Sequence, residues 1–153
     1  MKRAVVYLRS NGWFLHAISK TTDGVGIETP PRIKLESDAP PHEIGHAIFE
    51  VLQGSTQGLP HPSVAELERG FKPMMDLAGV KTWDAFARRT SSVSIRTDPP
   101  SEWLIVEPWE NAGTKRGFVQ MPNLSVRVRM DAPLAEIGEA IQKAMQLCVP
   151  QYP

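Results

Sequence analysis

The chain has 153 residues, with 17 basic and 17 acidic side chains, four His, one Cys and 14 Pro. A chain of this length fits one domain that buries about 68–70% of its unfolded surface, so neither a disulfide framework nor a structural metal is needed to fold it. Zero net charge argues against a dedicated nucleic-acid binder, the lone Cys148 excludes an intramolecular disulfide, and no apolar run is long enough to read as a transmembrane helix.

The opening Met1–Arg9 is too short, and too soon interrupted by Arg9, to read as a signal peptide. With a single thiol, this sets the expectation of a reduced, cytoplasmic protein. Ala4–Leu8 and Trp13–Ile18 read as strands on either side of Ser10-Asn11-Gly12, an Asn-Gly hairpin signal. Gly24–Ile27 and Arg32–Leu35 read as two further strands parted by Thr29-Pro30-Pro31. A helix follows. Asp38 is its expected N-cap, Pro40 lies in its first turn and Glu43 favours its dipole. Ile44, Ala47, Ile48, Val51 and Leu52 form its buried stripe, and Gly54 ends it.

Residues 55–90 carry Gly58, Pro60, Pro62 and Pro73, with short helical patterns over Val64–Phe71 and Thr82–Arg89. Trp83 and Phe86 are expected to pack this insertion onto the domain. Strand patterns then return at Val93–Ile95, Trp103–Val106, Gly117–Met121 and Ser125–Met130. In the last of these Val126, Val128 and Met130 alternate with Arg127 and Arg129, one buried and one wet face. A second helix, with Asp131 as its expected N-cap and Pro133 in its first turn, is expected to end at Pro150.

The two helix regions repeat each other. Asp38 through Ile48 aligns with Asp131 through Ile141 at an offset of 93, with eight of eleven positions identical. The expected architecture is α+β: mainly antiparallel sheets with two core helices, in two related strands-then-helix halves (about 1–54 and 91–150) around a helical insertion (55–90). Gly45 and Gly138 occupy matching positions although each costs about 1 kcal/mol of helix propensity, which predicts a close approach to a sheet or partner helix.

His42-Glu43-Ile44-Gly45-His46 matches the H-E-x-x-H pattern, in which two His one helical turn apart hold zinc and the Glu activates water. Pro40 and Pro41 put the string in a first turn, and a third ligand would have to come from His61, Glu66 or Glu68. The repeat also keeps Glu136, Ile137 and Gly138 but has Ala135 and Glu139 in place of the imidazoles. We therefore expect scaffold here, with no metal, no cofactor and no catalytic residue. Cys148 and His16 read as core residues, and Arg88-Arg89, Lys115-Arg116, Arg127 and Arg129 as solvated charge.

One stretch stands out by composition. Asp98 through Glu110 holds four acids (Asp98, Glu102, Glu107, Glu110), two tryptophans (Trp103, Trp109) and no base. Trp and carboxylates on a strand between Pro turns suit recognition of a basic protein surface. The exposed face of the first helix, His42, His46 and Glu50, is the second candidate.

Several segments resemble the immunity proteins of bacterial contact-dependent growth inhibition systems, the CdiI-like family: the hairpin around Asn11-Gly12-Trp13, Gly45-His46-Ala47 through Leu52-Gln53-Gly54-Ser55, Gly79-Val80-Lys81-Thr82-Trp83 with Phe86, and Val93-Ser94-Ile95. The resemblance implies a non-catalytic cytoplasmic protein. It would bind the C-terminal toxin domain of a cognate effector, often a nuclease, with no nucleic acid or membrane as partner. Two alternatives stay open: a zinc hydrolase using His42, Glu43 and His46, and a Whirly-like single-stranded nucleic-acid binder.

Overall fold

A computed structural model describes residues 1–150, the last two by their backbone alone. The first half comprises β1 (Arg3–Arg9), β2 (Gly12–Lys20), β3 (Gly26–Leu35) and α1 (Pro41–Gln53). The segment 55–90, expected from sequence as an insertion, supplies α2 (Val64–Arg69), α3 (Lys72–Ala78) and α4 (Trp83–Ala87). The second half comprises β4 (Ser91–Thr97), β5 (Trp103–Asn111), α5 (Gly113–Arg116), β6 (Phe118–Gln120), β7 (Val126–Arg129), α6 (Leu134–Gln146) and β8 (Val149–Pro150).

The sheet order is β3-β2-β1-β4-β5-β6, and β7 and β8 also pair with β5. All of these pairings are antiparallel except β5 with β8. The sheet therefore runs outward in both directions from a central β1–β4 pair in which Val6 lies opposite Val93. Both long helices lie on one face. Their buried stripes, including Ile44, Ile48, Ile137 and Ile141, close over Val6, Leu15, Val93, Ile95, Leu104 and Val106. Successive strand residues point to opposite faces, so Tyr7, Phe14 and His16 point the other way. There the insertion covers them with Phe71, Met74 and Phe86. Tyr7, Phe71, Trp83 and Phe86 meet edge-on or stacked at 4.7–6.0 Å.

The structure corrects several local expectations. The hairpin turn is Ser10-Asn11, and Gly12 already belongs to β2, opposite Arg9. Pro30 and Pro31 do not break a strand. β3 is an edge strand, and its register jumps between His16 and Ala17 so that the proline pair sits in a bulge, where missing N–H groups cost no ladder bonds. β5 likewise runs through Pro108.

Asp38 and Asp131 cap nothing. Pro40 and Pro133 occupy the cap positions in extended conformations, so each aspartate stands two residues too early to reach the first-turn amides. Pro40 and Pro133 offer their backbone carbonyls to Glu43 and Glu136 instead. α6 ends at Gln146 with Leu147 as its cap, and Pro150 lies in β8. The insertion holds a third helix, α3, between the two helical patterns read from sequence; Pro73 sits in its first turn, where proline is tolerated. Ser63 and Thr82 cap α2 and α4, each accepting from an amide three residues on.

Candidate functional site

The insertion shields only part of the second sheet face. Across the uncovered part, facing positions on adjacent strands form a row: Ile18, Arg3, Arg96, Ile105 and Arg127. One step along, Trp103 stands opposite Arg129. In the other direction Val5, Ser94 and Glu107 line up. Aliphatic side chains and Trp103 thus alternate with guanidinium groups on a face left half-buried.

The acid-rich stretch lies along this face and its rim. Trp103 is half-buried beneath the Arg127 guanidinium, 4.6 Å from its ring centroid, with the Arg129 guanidinium 5.7 Å away. Glu107 is nearly buried and accepts from Arg96 Nη1 at 3.1 Å. Glu102 is exposed and accepts from Arg129 Nη2 at 2.6 Å. Arg129 also donates to both Asp131 oxygens, at 2.9 and 3.1 Å, and this bonding holds the Asp131 carboxyl below the usual carboxylate range. Asp98 is exposed in the β4–β5 turn. Trp109 and Glu110 are half-buried, and the Trp109 Nε1 has no partner among the described residues.

Composition suggested an acidic segment without bases. In three dimensions, two of its four carboxylates are matched by arginines from β4 and β7. Asp98 and Glu110 have no ion-pair partner among the described residues, and neither do three cations near this face, Arg3, Lys20 and Arg127. Arg3, Lys20, Ser94, Arg96 and Glu107 line a recess of about 250 Å³. Arg3, Lys20 and Arg96 were not singled out from sequence. The signal was there in part, because the Val-Arg-Val-Arg alternation of β7 already put Arg127 and Arg129 on a wet face.

The second candidate lies across the molecule. His42, His46 and Glu50 are exposed on α1, beside a shallow apolar groove lined by Ile33, Leu35, Ala47 and Leu134. His46 Nδ1 lies 3.1 Å from Glu50 Oε1. Among the described residues no group of three or more His, Cys, Asp or Glu is placed to hold a metal ion. Cys148 is buried, its thiol donating to the Ser92 carbonyl at 3.1 Å, and burial raises its pKa. His16 is only half satisfied: Nδ1 donates to the Ala17 carbonyl at 2.9 Å, while Nε2 has no partner among the described residues.

Comparison with known proteins adds the decisive observation. The family profile described as CDI immunity protein, CdiI, matches residues 12–148. This chain belongs to the CdiI family. Two solved structures share the fold of this CdiI chain. One is a protein of unknown function from Neisseria meningitidis, with TM-score 0.81 and 15% identity, covering 96% of this chain and 94% of that one. The other is a CdiA-CT/CdiI toxin and immunity complex from Yersinia pseudotuberculosis, with TM-score 0.78 and 15% identity, covering 96% and 97%. At that identity the likeness speaks for the fold alone. No curated protein matches the chain. Among the described residues no helix is long and apolar enough to cross a membrane.

Proposed function

We propose that this CdiI-family chain is the antidote to one cognate toxin, the C-terminal domain of a large CdiA-type effector, and acts by occupying the toxin's surface without catalysis. The observation that carries the reading is the family match over residues 12–148. The Yersinia relative's description as one half of a toxin and immunity complex supports it. The toxin is a nuclease, and neutralisation takes place in the cytoplasm.

The contact surface is the open part of the sheet around Trp103. It combines an aromatic anchor, aliphatic neighbours such as Ile105, Glu107 within the face, and Glu102 and Asp98 at its margin; further along the strand Trp109 follows on the same side and Glu110 on the other. Tight interfaces concentrate their energy in such aromatic and arginine anchors within about 800 Å² per partner.

The test is protection. The toxin domain encoded directly upstream of this chain's gene is induced in a host cell with and without the chain. Restored growth with that toxin, and none with a toxin domain from an unrelated locus, is the expected result. Continued killing in the presence of soluble, folded chain overturns the reading.

A further inference from the structure

We infer that the open part of the sheet takes an acidic segment of the toxin domain, held by Arg3, Lys20, Arg96 and Arg127 around Trp103. This rests on the immunity reading and adds the sign of the contact. Three observations converge. Arg3 of β1, Arg96 of β4 and Arg127 of β7 fall on one row of the same face, Arg3 directly opposite Arg96 and the half-buried Ile105 between Arg96 and Arg127. Among the described residues, Arg3, Lys20 and Arg127 have no carboxylate partner, and the recess holding Arg3, Lys20 and Arg96 contains a single acid, Glu107, already bonded to Arg96. The Arg127 guanidinium lies over the Trp103 ring, 4.6 Å from its centroid.

An unpaired guanidinium fork fixed over an aromatic ring is preorganised to take a carboxylate bidentately, with little rotamer freedom left to lose. The neutral total hides this polarity, because the outer surfaces of α1 and α6 carry Glu43, Glu50, Glu136 and Glu139. A toxin approaching through acidic side chains is steered toward the sheet and away from the helices. On a nuclease, such a contact falls beside, not within, a basic nucleic-acid groove.

The experiment measures association and dissociation rates of the purified toxin domain, inactivated in its catalytic residues, against wild type, R3E/R127E and E43K/E139K. We expect R3E/R127E to associate at least tenfold more slowly, and the wild-type rate to fall steeply with added salt. E43K/E139K should bind within twofold of wild type. R3Q/R127Q, which removes charge without reversing it, should be intermediate and serves if the reversal variant unfolds. Wild-type binding with unchanged rates in the arginine variants overturns the assignment and leaves the immunity reading standing. Faster association of R3E/R127E overturns it as well. So does tight binding of a dT20 oligonucleotide that those substitutions abolish, since the face would then belong to nucleic acid. Failure of wild type to bind the toxin at all counts instead against the immunity reading.

Discussion

Gly45 of α1 and Gly138 of α6 face each other's helix starts. The Cβ that Gly45 lacks would strike the carbonyl of Leu134, the first residue of α6, and the Cβ that Gly138 lacks would strike the carbonyl of Pro41, the first residue of α1. The clash in each case is with backbone, which cannot swing aside as a flexible side chain can. Both glycines are buried. Alanine at either position should therefore destabilise the fold by about 2–3 kcal/mol, overriding the roughly 1 kcal/mol that alanine gains in helix propensity. Urea denaturation of G45A and G138A checks this. Wild-type midpoints would mean that the helices do not cross this closely.

Phe86 anchors the insertion. It is fully buried, meets Tyr7 and Phe71 edge-on at 5.0 Å and stacks on Trp83 at 5.6 Å. The Arg9 guanidinium lies 4.9 Å from its ring centroid and also donates to the Ala85 carbonyl at 3.2 Å. F86A should cost about 3–5 kcal/mol. In native-state proteolysis, cleavage of F86A should begin between residues 60 and 90 before the sheet is attacked.

His16 predicts a pH dependence. Burial lowers its pKa to about 4 from an ordinary 6.5; Arg32 opposes its charge further, while the bond to the Ala17 carbonyl works the other way. Tyr7 and Phe71 pack against the ring. The unfolded chain binds this proton at a higher pH than the folded one, so the stability it contributes is complete above pH 6.5 and drains away as pH falls toward 4. Glu28 works against this trend, because burial raises its carboxyl pKa even with Arg32 bonded to it, and the folded protein recovers stability as that group protonates. Comparison with H16L isolates the histidine. Between pH 7 and 4.5 the wild type should lose about 2 kcal/mol more than H16L, at 1.36 kcal/mol per unit of pKa shift. Parallel pH profiles for the two proteins would contradict the burial of an uncharged ring.

The two carboxylates of β5 that look alike in sequence should behave differently. Glu107 is nearly buried against the partly exposed Arg96, so E107A removes a largely shielded charged hydrogen bond; about 1 kcal/mol should be lost in thermal melts. Glu102 pairs with Arg129 at an exposed edge, and E102A should leave the melting temperature unchanged. Equal effects would mean that the two pairs are equally solvated.

These cases mark where sequence is legible. Apolar periodicity found both long helices, and the alternation in β7 assigned its wet face, because burial imposes its period directly on the residues. The paired glycines announced a close approach, though not which neighbour made it. Local chemistry was less reliable. Aspartates near a helix start looked like caps, yet Pro40 and Pro133 moved the starts beyond their reach. The Pro30-Pro31 pair looked like a break because the bulge that accommodates it is a property of two strands, not one. The character of the candidate surface was hidden for the same reason. Arg96 and Arg129 reach Glu107 and Glu102 from 11 and 27 residues away, and only strand pairing brings them together. Arg3, on the far side of β4 from β5, joins the surface through β1.

The most direct test of immunity through this face is hydroxyl-radical footprinting of the chain alone and bound to its inactivated toxin domain. Side chains at Trp103 and Ile105 should lose reactivity in the complex, while Phe49 of α1 and Leu134 of α6 keep theirs. Protection confined to the helix layer, with Trp103 as reactive as in the free chain, would contradict it.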